Sequence, residues 1–262
     1  MSTTREVHSG EVPEAFDEVA DRYDLMVALN PGYHRHLRRS AAALAESLAR
    51  SFAESGSRGG RPLRVIDLGC GSGASTRALV AALDAELHNG PSGPETEVIG
   101  VDASAGMLRE AGLKTWPPGV RFVKARAEEL TTHADVVAGP ADGVFAAYLV
   151  RNVRDRDALL LSLHGLLSPG GVVVIHEYSV RGQRLATGIW SAVCWGVVVP
   201  LGWLTSRRTR LYRYLWRSVV DMDSTDELTA RLRRAGFEDV WSRTVRGWQR
   251  NIVHTVHARR PR

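Results

Sequence analysis

Apolar and polar residues follow two periodicities along the chain, and these predict the order of its helices and strands. Short continuous apolar runs are typical of buried strands, whereas apolar residues three or four positions apart indicate one face of a helix. Five buried strands are predicted at 63–68, 98–101, 120–124, 143–150 and 172–176. Two late strands are predicted at 240–244 and 252–258.

Helical periodicity separates these strands. Helices are predicted at 13–26, 34–54, 75–87, 104–112, 157–167 and 225–235. Loops rich in Gly, Ser or Pro are predicted at 54–62 and 88–97, and Ser168 to Gly171 are expected to end a helix. The alternation predicts a doubly wound α/β fold, a mostly parallel seven-stranded Rossmann-like sheet with an antiparallel edge strand and a helical lid.

The lid is predicted from an uncharged run of 17 residues, Gly188 to Leu204. This length is at the short limit of a membrane span, and a lone span would split the α/β domain. We therefore favour a buried or interfacial lid helix, with a plain core helix as the alternative. The expected organisation is a single domain over 1–262, with an N-terminal helical cap at 13–54 and an inserted lid at 181–223 over the expected ligand site.

Composition limits the functional classes. An apolar fraction of 44% and a charged fraction of 24% are those of a folded globule. The net charge of +5 comes with basic clusters at 35–39, 207–217 and 231–262, but no RNA-binding or helix-turn-helix signature accompanies them, so nucleic acid is not an expected partner. The two cysteines, Cys70 and Cys194, have no metal-ligand or disulfide spacing, and the N-terminus lacks the apolar core of a signal peptide, so a cytoplasmic protein without metal is expected.

The glycine-rich turn Asp67-Leu68-Gly69-Cys70-Gly71-Ser72-Gly73 follows the first strand and is the candidate cofactor site. Glycines there let the backbone approach a ligand, and the next helix presents free N–H groups. Taken alone, this turn fits NAD and FAD as well as other nucleotides. Asp102, at the end of the second strand, has two acceptor oxygens suited to a ribose diol, and its alternative role is an N-cap for the next helix.

With the glycine-rich turn and Asp102 in this order, the chain resembles the class I S-adenosylmethionine-dependent methyltransferases. Among them it resembles the UbiE-type C-methyltransferases of menaquinone and ubiquinone biosynthesis. The resemblance covers about residues 13 to 258. The further strings that carry it are Phe16-Asp17-x-x-Ala20-x-x-Tyr23-Asp24-Leu25-Met26, Gly32-x-His34-Arg35, Asp102-x-Ser104-x-Gly106-Met107-Leu108, Arg151-Asn152-Val153-x-Asp155-Arg156-Asp157, Leu167-x-Pro169-Gly170-Gly171 and Tyr212-Arg213-Tyr214-Leu215.

The resemblance implies S-adenosylmethionine as cofactor and S-adenosylhomocysteine as its product. It implies that Tyr23 closes over the methionine end, that Asp102 holds the ribose and that Met107 lies against adenine. The full set of cofactor-binding residues that it implies is Tyr23, Asp67, Gly69, Gly71, Gly73, Asp102, Ala103, Met107, Arg126, Ala127 and Tyr148.

Three departures from the family pattern lie at ligand-contacting positions. Where the family has Gly-Asp-Ala, this chain has Ala125-Arg126-Ala127, and arginine cannot accept a hydrogen bond from the adenine amino group. Leu149 replaces a glycine, and the closing Gly-Gly-Ile-Val segment reads Gln249 to Val253. The acceptor could therefore differ from a demethylquinol.

Arg151 and Asn152 are implied by the resemblance as substrate-side catalytic residues. Because arginine stays protonated, Arg151 is expected to position and stabilise an oxygen anion rather than act as a base. Its alternative role is a surface salt bridge with Asp155 or Asp157.

His176 and Glu177, after the fifth strand, are the candidate general bases. An imidazole facing the cleft would suit proton removal near neutral pH. The alternative for His176 is a structural donor that Glu177 orients, and Tyr148 and Tyr178 are further candidates for the pocket wall.

The implied function is C-methylation of a prenylated quinol or a related hydrophobic phenolic metabolite. Two alternatives remain open: an O- or N-methyltransferase of natural product metabolism, and a non-catalytic cofactor-binding protein, for which Arg126 is the only support. The expected partner is a hydrophobic small molecule. Contact with the inner face of the membrane, through arginines at 207–210, and a homodimer are further options.

Overall fold

One seven-stranded sheet runs through the molecule in the order β3-β2-β1-β4-β5-β7-β6. The structure is a computed structural model and describes residues 17, 20, 30–55, 61–87, 93–200 and 210–262. The strands are β1 (Leu63–Leu68), β2 (Thr96–Asp102), β3 (Val120–Lys124), β4 (Ala141–Ala147), β5 (Leu167–Tyr178), β6 (Glu238–Thr244) and β7 (Val253–Arg259). The first five are parallel, and β7 pairs antiparallel with both β5 and β6. The predicted fold is confirmed.

Helices cover both faces of this sheet. Those described are α1 (Tyr33–Ser55), α2 (Ala74–Leu87), α3 (Ala105–Gly112), α4 (Ala134–Val137), α5 (Arg156–Leu166), α6 (Arg184–Val193), α7 (Arg210–Val220) and α8 (Thr225–Arg234). Two 3-10 turns occur at Ala127–Glu129 and Val150–Asn152, and a π-helical stretch, Cys194–Val198, continues α6.

Two apolar clusters, one on each side of the sheet, form the core. One joins α1 and α2 to side chains of β1, β4 and β5. The other joins α5 and α8 to the alternate side chains of the same strands. Every residue of β1 and β4 is buried, as expected of strands covered on both faces, and their apolar residues do not alternate with exposed polar ones. The chain order reverses between β1 and β4, so a crevice forms at their carboxyl ends.

The ends of two predicted strands are wrong. The fourth strand ends at Ala147 rather than residue 150, because Tyr148 has a positive φ of 58° and turns the chain into the 3-10 turn. The fifth strand extends from Leu167 to Tyr178, through the segment expected to be a helix stop. Pairing with β7 continues to Tyr178, and Gly170 takes a φ of 77° at the irregular start of the strand.

Parts of the predicted cap and lid lie outside the described residues. These parts are most of the helix predicted at 13–26, including Tyr23, and the segment 201–209 of the lid. Of the predicted lid at 181–223, α6, its π-helical continuation and α7 are described. A search of the described residues finds no helix with the length and apolar character that a membrane crossing requires.

Candidate cofactor and acceptor site

A cleft opens at the carboxyl ends of β1, β2 and β4, where the order of the sheet reverses. Eight of the residues that line it were predicted to bind the cofactor: Gly69, Gly71, Asp102, Ala103, Met107, Arg126, Ala127 and Tyr148. Arg151 and Asn152 line the same cleft. The structure thus brings together residues from four separate segments of the chain.

Asp67 and Gly73, which were also predicted to bind the cofactor, belong to the same turn but do not line the cleft. Asp67 is fully buried and accepts hydrogen bonds from Ser75 Oγ at 2.7 Å and Thr76 Oγ1 at 2.6 Å. Burial raises the pKa of its carboxyl group to about 7. Asp67 therefore ties the turn to the start of α2 and does not face the cleft.

The glycine turn has the open backbone that a bound ligand needs. Gly71 lines the cleft with a φ of 53°, and a Cβ added there would meet no atom within 4 Å. Gly73 has a φ of 91°, and a Cβ there would come within 2.7 Å of the Trp116 ring. Lys114 Nζ donates to the Ser72 carbonyl at 2.7 Å, so the loop after α3 supports the turn from outside. No sequence motif indicated Lys114 or Trp116.

Asp102 links the turn to the next helix. Its Oδ2 accepts from Gly71 N and its Oδ1 from Ser104 N, both at 2.8 Å. Burial raises the pKa of Asp102, against the effect of these two hydrogen bonds. Each carboxylate oxygen has a second lone pair, so the group can still receive a diol. The cap of α3 is the Ser104 side chain, which accepts from Met107 N at 3.0 Å.

The segment after β3 forms another part of the cleft wall. Arg126 and Ala127 line it, together with Glu128, which the sequence analysis did not identify. The Arg126 N–H donates to Glu129 Oε2 at 3.2 Å, and this contact starts the 3-10 turn. Arginine thus occupies the position where the family has its aspartate.

Tyr148 stands between the cleft and the sheet. Its hydroxyl group lies 3.0 Å from His176 Nε2, and its ring stacks on Tyr33 and Tyr178 at centroid distances of 5.1 Å and 5.0 Å. Tyr33 also lines the cleft. Tyr33 occupies the variable position x of the Gly32-x-His34-Arg35 motif, so the motif did not indicate it.

Arg151 forms a buried ion pair with Glu177. Its Nη1 lies 2.5 Å from Glu177 Oε1, with 7% and 3% of the two side chains exposed. The alternative role of Arg151, a surface salt bridge with Asp155 or Asp157, is therefore wrong. Asp155 instead caps α5 through Ala158 N at 2.9 Å, and Asp157 pairs with Arg231 at 2.5 Å.

Asn152 is held at both ends of its amide. Its Nδ2 donates to the Tyr148 carbonyl at 3.3 Å, and its Oδ1 accepts from the Tyr214 hydroxyl at 3.0 Å. Tyr214 lies on α7, so a helix of the predicted lid contacts a residue that lines the cleft. It occurs in the Tyr-Arg-Tyr-Leu string, which is the signal that could have identified it.

His176 lies inside β5 and does not face the cleft, so that expectation is wrong. Its ring is fully buried, with Nε2 near the Tyr148 hydroxyl and Nδ1 3.2 Å from Thr255 Oγ1. Burial lowers its pKa to about 3. Tyr148 and Thr255 orient this ring, whereas the expected partner Glu177 contacts Arg151.

The residues present fit S-adenosylmethionine. Gly71 provides an open cradle, the Asp102 carboxylate lines the cleft beside it with Oδ2 bonded to Gly71 N, and Met107 supplies an apolar wall. Tyr23, the predicted cover of the methionine end, lies outside the described residues. Within the described part of the chain, no group of three His, Cys, Asp or Glu side chains is arranged to hold a metal ion.

Comparisons with known proteins agree with this geometry. The family model described as "ubiE/COQ5 methyltransferase family" matches residues 4–251. A ubiquinone/menaquinone biosynthesis C-methyltransferase UbiE from Stutzerimonas stutzeri is 30% identical over 235 residues, which are 88% of this chain and 82% of that protein. The protein of the same name from Syntrophotalea carbinolica is also 30% identical, over 88% of each chain.

Solved structures resemble the fold. The plantazolicin methyltransferase BamL, in complex with S-adenosylhomocysteine and a substrate analogue, superposes with a TM-score of 0.59 at 13% identity, covering 96% of this chain and 97% of that one. A putative methyltransferase in complex with the Haloferax volcanii activator Trm112 gives 0.55 at 16% identity, over 99% and 100% of the two chains.

Proposed function

The chain belongs to the ubiE/COQ5 methyltransferase family and is a methyltransferase that uses S-adenosylmethionine, and on this premise we propose that it methylates a ring carbon of a prenylated quinol or a related hydrophobic phenol. O- or N-methylation and a role without catalysis are not favoured by the comparisons. The observation that carries the proposal is the end-to-end match to relatives named as C-methyltransferases of quinone biosynthesis.

We assign the cofactor to the turn side of the cleft. Gly69 and Gly71 would accommodate the methionine portion, Asp102 would bind the ribose, and Met107 would pack against adenine. S-adenosylmethionine supplies a methyl group on a sulfonium, ready for transfer to a nucleophilic carbon. Arg126 would stack on or flank the adenine ring, since it cannot accept the hydrogen bond that an aspartate would.

Arg151 is assigned to the acceptor oxygen. It lines the cleft, and Glu177 fixes its orientation from behind. A phenol near a guanidinium loses its proton more readily, because the positive charge stabilises the phenolate. The proton passes to water at the open side of the cleft, and the phenolate enriches the adjacent ring carbon in electrons. The bond from that carbon to the methyl group would form as the methyl–sulfur bond breaks, which leaves S-adenosylhomocysteine. The ring carbon would then release its own proton to water, the ring would become aromatic again, and the phenolate oxygen would regain a proton from water.

Asn152 and the aromatic wall would align the acceptor. The Asn152 amide is fixed by Tyr148 and Tyr214, and the rings of Tyr33 and Tyr148 offer a flat apolar face. Alignment matters because the transfer needs the carbon, methyl and sulfur in line. We retain Glu177 as a residue that holds Arg151, and we do not assign His176 to proton transfer.

The partner in this proposal is a hydrophobic small molecule, and an acceptor with a prenyl tail would be met at a membrane surface. The cytoplasmic location, the homodimer and the absence of nucleic acid among the partners stay predictions.

Deletion of the gene, followed by mass spectrometry of the lipid extract, tests the proposal. The expected result is accumulation of a quinone that lacks one methyl group and its disappearance on complementation. An unchanged quinone pool would contradict the quinol assignment. Incubating the purified protein with a short-chain demethylquinol then locates the new methyl group, and a methyl group on oxygen would favour the O-methyltransferase instead.

A further inference from the structure

The lid carries an apolar surface that faces solvent. Residues 185, 188, 192 and 195 recur in steps of three and four, so they share one face of α6 and its π-helical continuation, and all four are exposed. They are Leu185, Gly188, Ala192 and Trp195, and Val197 lies beside them. The exposed fractions are 79% for Leu185, 48% for Trp195 and 57% for Val197. We call these five residues the lid face.

The opposite side of the same helix packs on the protein. Ala186, Trp190 and Cys194 are buried, and the Trp190 ring lies 5.1 Å from that of Tyr178. The helix is thus apolar on both sides. A helix in water normally exposes a polar side. A helix that is apolar on both sides is normally covered on both, so its exposed side needs a second apolar environment.

Charge distribution identifies that environment. Between Glu177 and Asp221 the chain has no acidic residue and seven arginines. Because the net charge of the whole chain is +5, the rest of the chain is net −2, so the positive excess lies entirely in the lid. Arg181, Arg184 and Arg213 are among its exposed side chains.

We infer that the lid face docks on an anionic lipid bilayer, with exposed arginines such as Arg184 and Arg213 at the headgroups. Interfacial helices of this kind insert Trp and Leu at the acyl boundary and hold basic side chains at the lipid phosphates. A protein partner would also bury an apolar face, but a stretch without acidic residues, 178–220, matches a continuous anionic surface better than a mixed protein surface. The inference rests on the proposed function for its purpose, which is to meet a lipid-soluble acceptor, but its test needs no acceptor.

The lid face is connected to the cleft by two routes. Trp190 contacts Tyr178, whose ring stacks on Tyr148 at the cleft wall. On the second route, Trp195 lies 5.7 Å from the ring of Trp216 on α7, and Tyr214 of the same helix donates to Asn152. A bilayer that contacts the lid face is therefore next to the elements that line the acceptor site.

Sedimentation with vesicles of phosphatidylcholine alone, or mixed with phosphatidylglycerol, tests the inference on the full chain. We expect binding to the anionic vesicles, weakened by salt, and much weaker binding to the neutral ones. The double variant Trp195→Ser, Val197→Ser should reduce the affinity at least about tenfold. Its matched control is Trp248→Ser, which removes a tryptophan that is 42% exposed outside the lid and should leave vesicle binding unchanged.

Charge is tested separately with Arg213→Glu in the lid against Arg234→Glu on α8, both exposed in the structure. The lid variant should lower the affinity for anionic vesicles at least about threefold, and the α8 variant should not. Equal binding to neutral and anionic vesicles, or equal loss in a lid variant and its control, would overturn the inference. Failure of the quinol proposal would instead appear as no methylation of a short-chain quinol while vesicle binding persists.

Discussion

Nη1 of Arg151 lies 2.5 Å from Oε1 of Glu177, and both side chains are largely buried. The pair joins a residue after β4 to one in β5, and the Arg151 backbone N–H donates to the same carboxylate at 3.2 Å. The carboxylate therefore fixes both the backbone and the side chain of Arg151. Glu177 acts on the cleft through Arg151 and does not line it.

Glu177→Gln should lower kcat more than about tenfold without changing the affinity for S-adenosylmethionine, because it loosens Arg151 on the acceptor side only. It should also destabilise the fold by about 3 kcal/mol, since a buried charge loses its partner. Steady-state kinetics, calorimetry with the cofactor and urea unfolding measure the three quantities. Asp221→Asn, which breaks the exposed pair with Arg217, is the control and should change stability by less than about 1 kcal/mol. Unchanged kcat in Glu177→Gln would contradict the assigned role of Arg151.

Asp102→Ala should weaken cofactor binding at least about tenfold, because a charge-assisted contact to the ribose is lost. Calorimetry with S-adenosylmethionine measures this directly. Glu110→Ala, at a half-buried acid on the neighbouring helix α3 that does not line the cleft, is the control and should bind the cofactor as the parent protein does. Equal affinity in Asp102→Ala would show that the ribose lies elsewhere.

Trp116→Ala should weaken cofactor binding about threefold to tenfold, although Trp116 does not line the cleft. Its ring packs against Gly73 and lies under the Arg77 guanidinium at 5.1 Å, so it supports the glycine turn. Trp116→Phe keeps an aromatic ring and should restore most of the affinity. A loss of affinity for S-adenosylmethionine with the KM of the acceptor unchanged would distinguish support of the turn from general destabilisation. Equal affinity in Trp116→Ala would contradict the supporting role.

Local patterns were sufficient for the cofactor side of the cleft and insufficient for the acceptor side. The glycine turn directly follows β1 and Asp102 ends β2, so short sequence motifs were enough to locate them. The pairing of Arg151 with Glu177 depends on how β4 and β5 align, which no local string contains. His176 was misplaced for the same reason: pairing with Thr255 of β7 extends β5 beyond it. The left-handed backbone of Tyr148 also had no sequence signal, because tyrosine rarely adopts it.

His176 should make the fold less stable in acid. Burial lowers its pKa from 6.5 to about 3, so between these pH values the unfolded chain binds a proton that the folded protein does not. The free energy of unfolding therefore falls as pH decreases through this window. His176→Gln should reduce the slope of the unfolding free energy against pH, but only in part, because burial also lowers the pKa of His36, His254 and His257. Urea unfolding at several pH values measures it, with His34→Gln on the exposed side of α1 as control. An unchanged slope in His176→Gln would contradict the assignment.

Asp67 should have the opposite effect on stability. Burial raises its pKa from 3.8 to about 7, so between these values the folded protein holds a proton that the unfolded chain has released. The unfolded state binds fewer protons there, and the free energy of unfolding falls as pH increases from 3.8 to about 7 and then levels off.

Asp67→Asn removes the titrating group and leaves a side-chain oxygen to accept from Ser75 and Thr76, which now bond to Asp67 Oδ2. The variant should lose this decline, so its stability relative to the parent protein should increase from pH 4 to pH 7. Urea unfolding across that range measures the difference. Asp226→Asn, an exposed acid in the first turn of α8, is the control. A constant difference between Asp67→Asn and the parent would mean that Asp67 is already ionised in the folded protein, and the buried negative charge would then need a partner that its contacts with two hydroxyl groups do not provide.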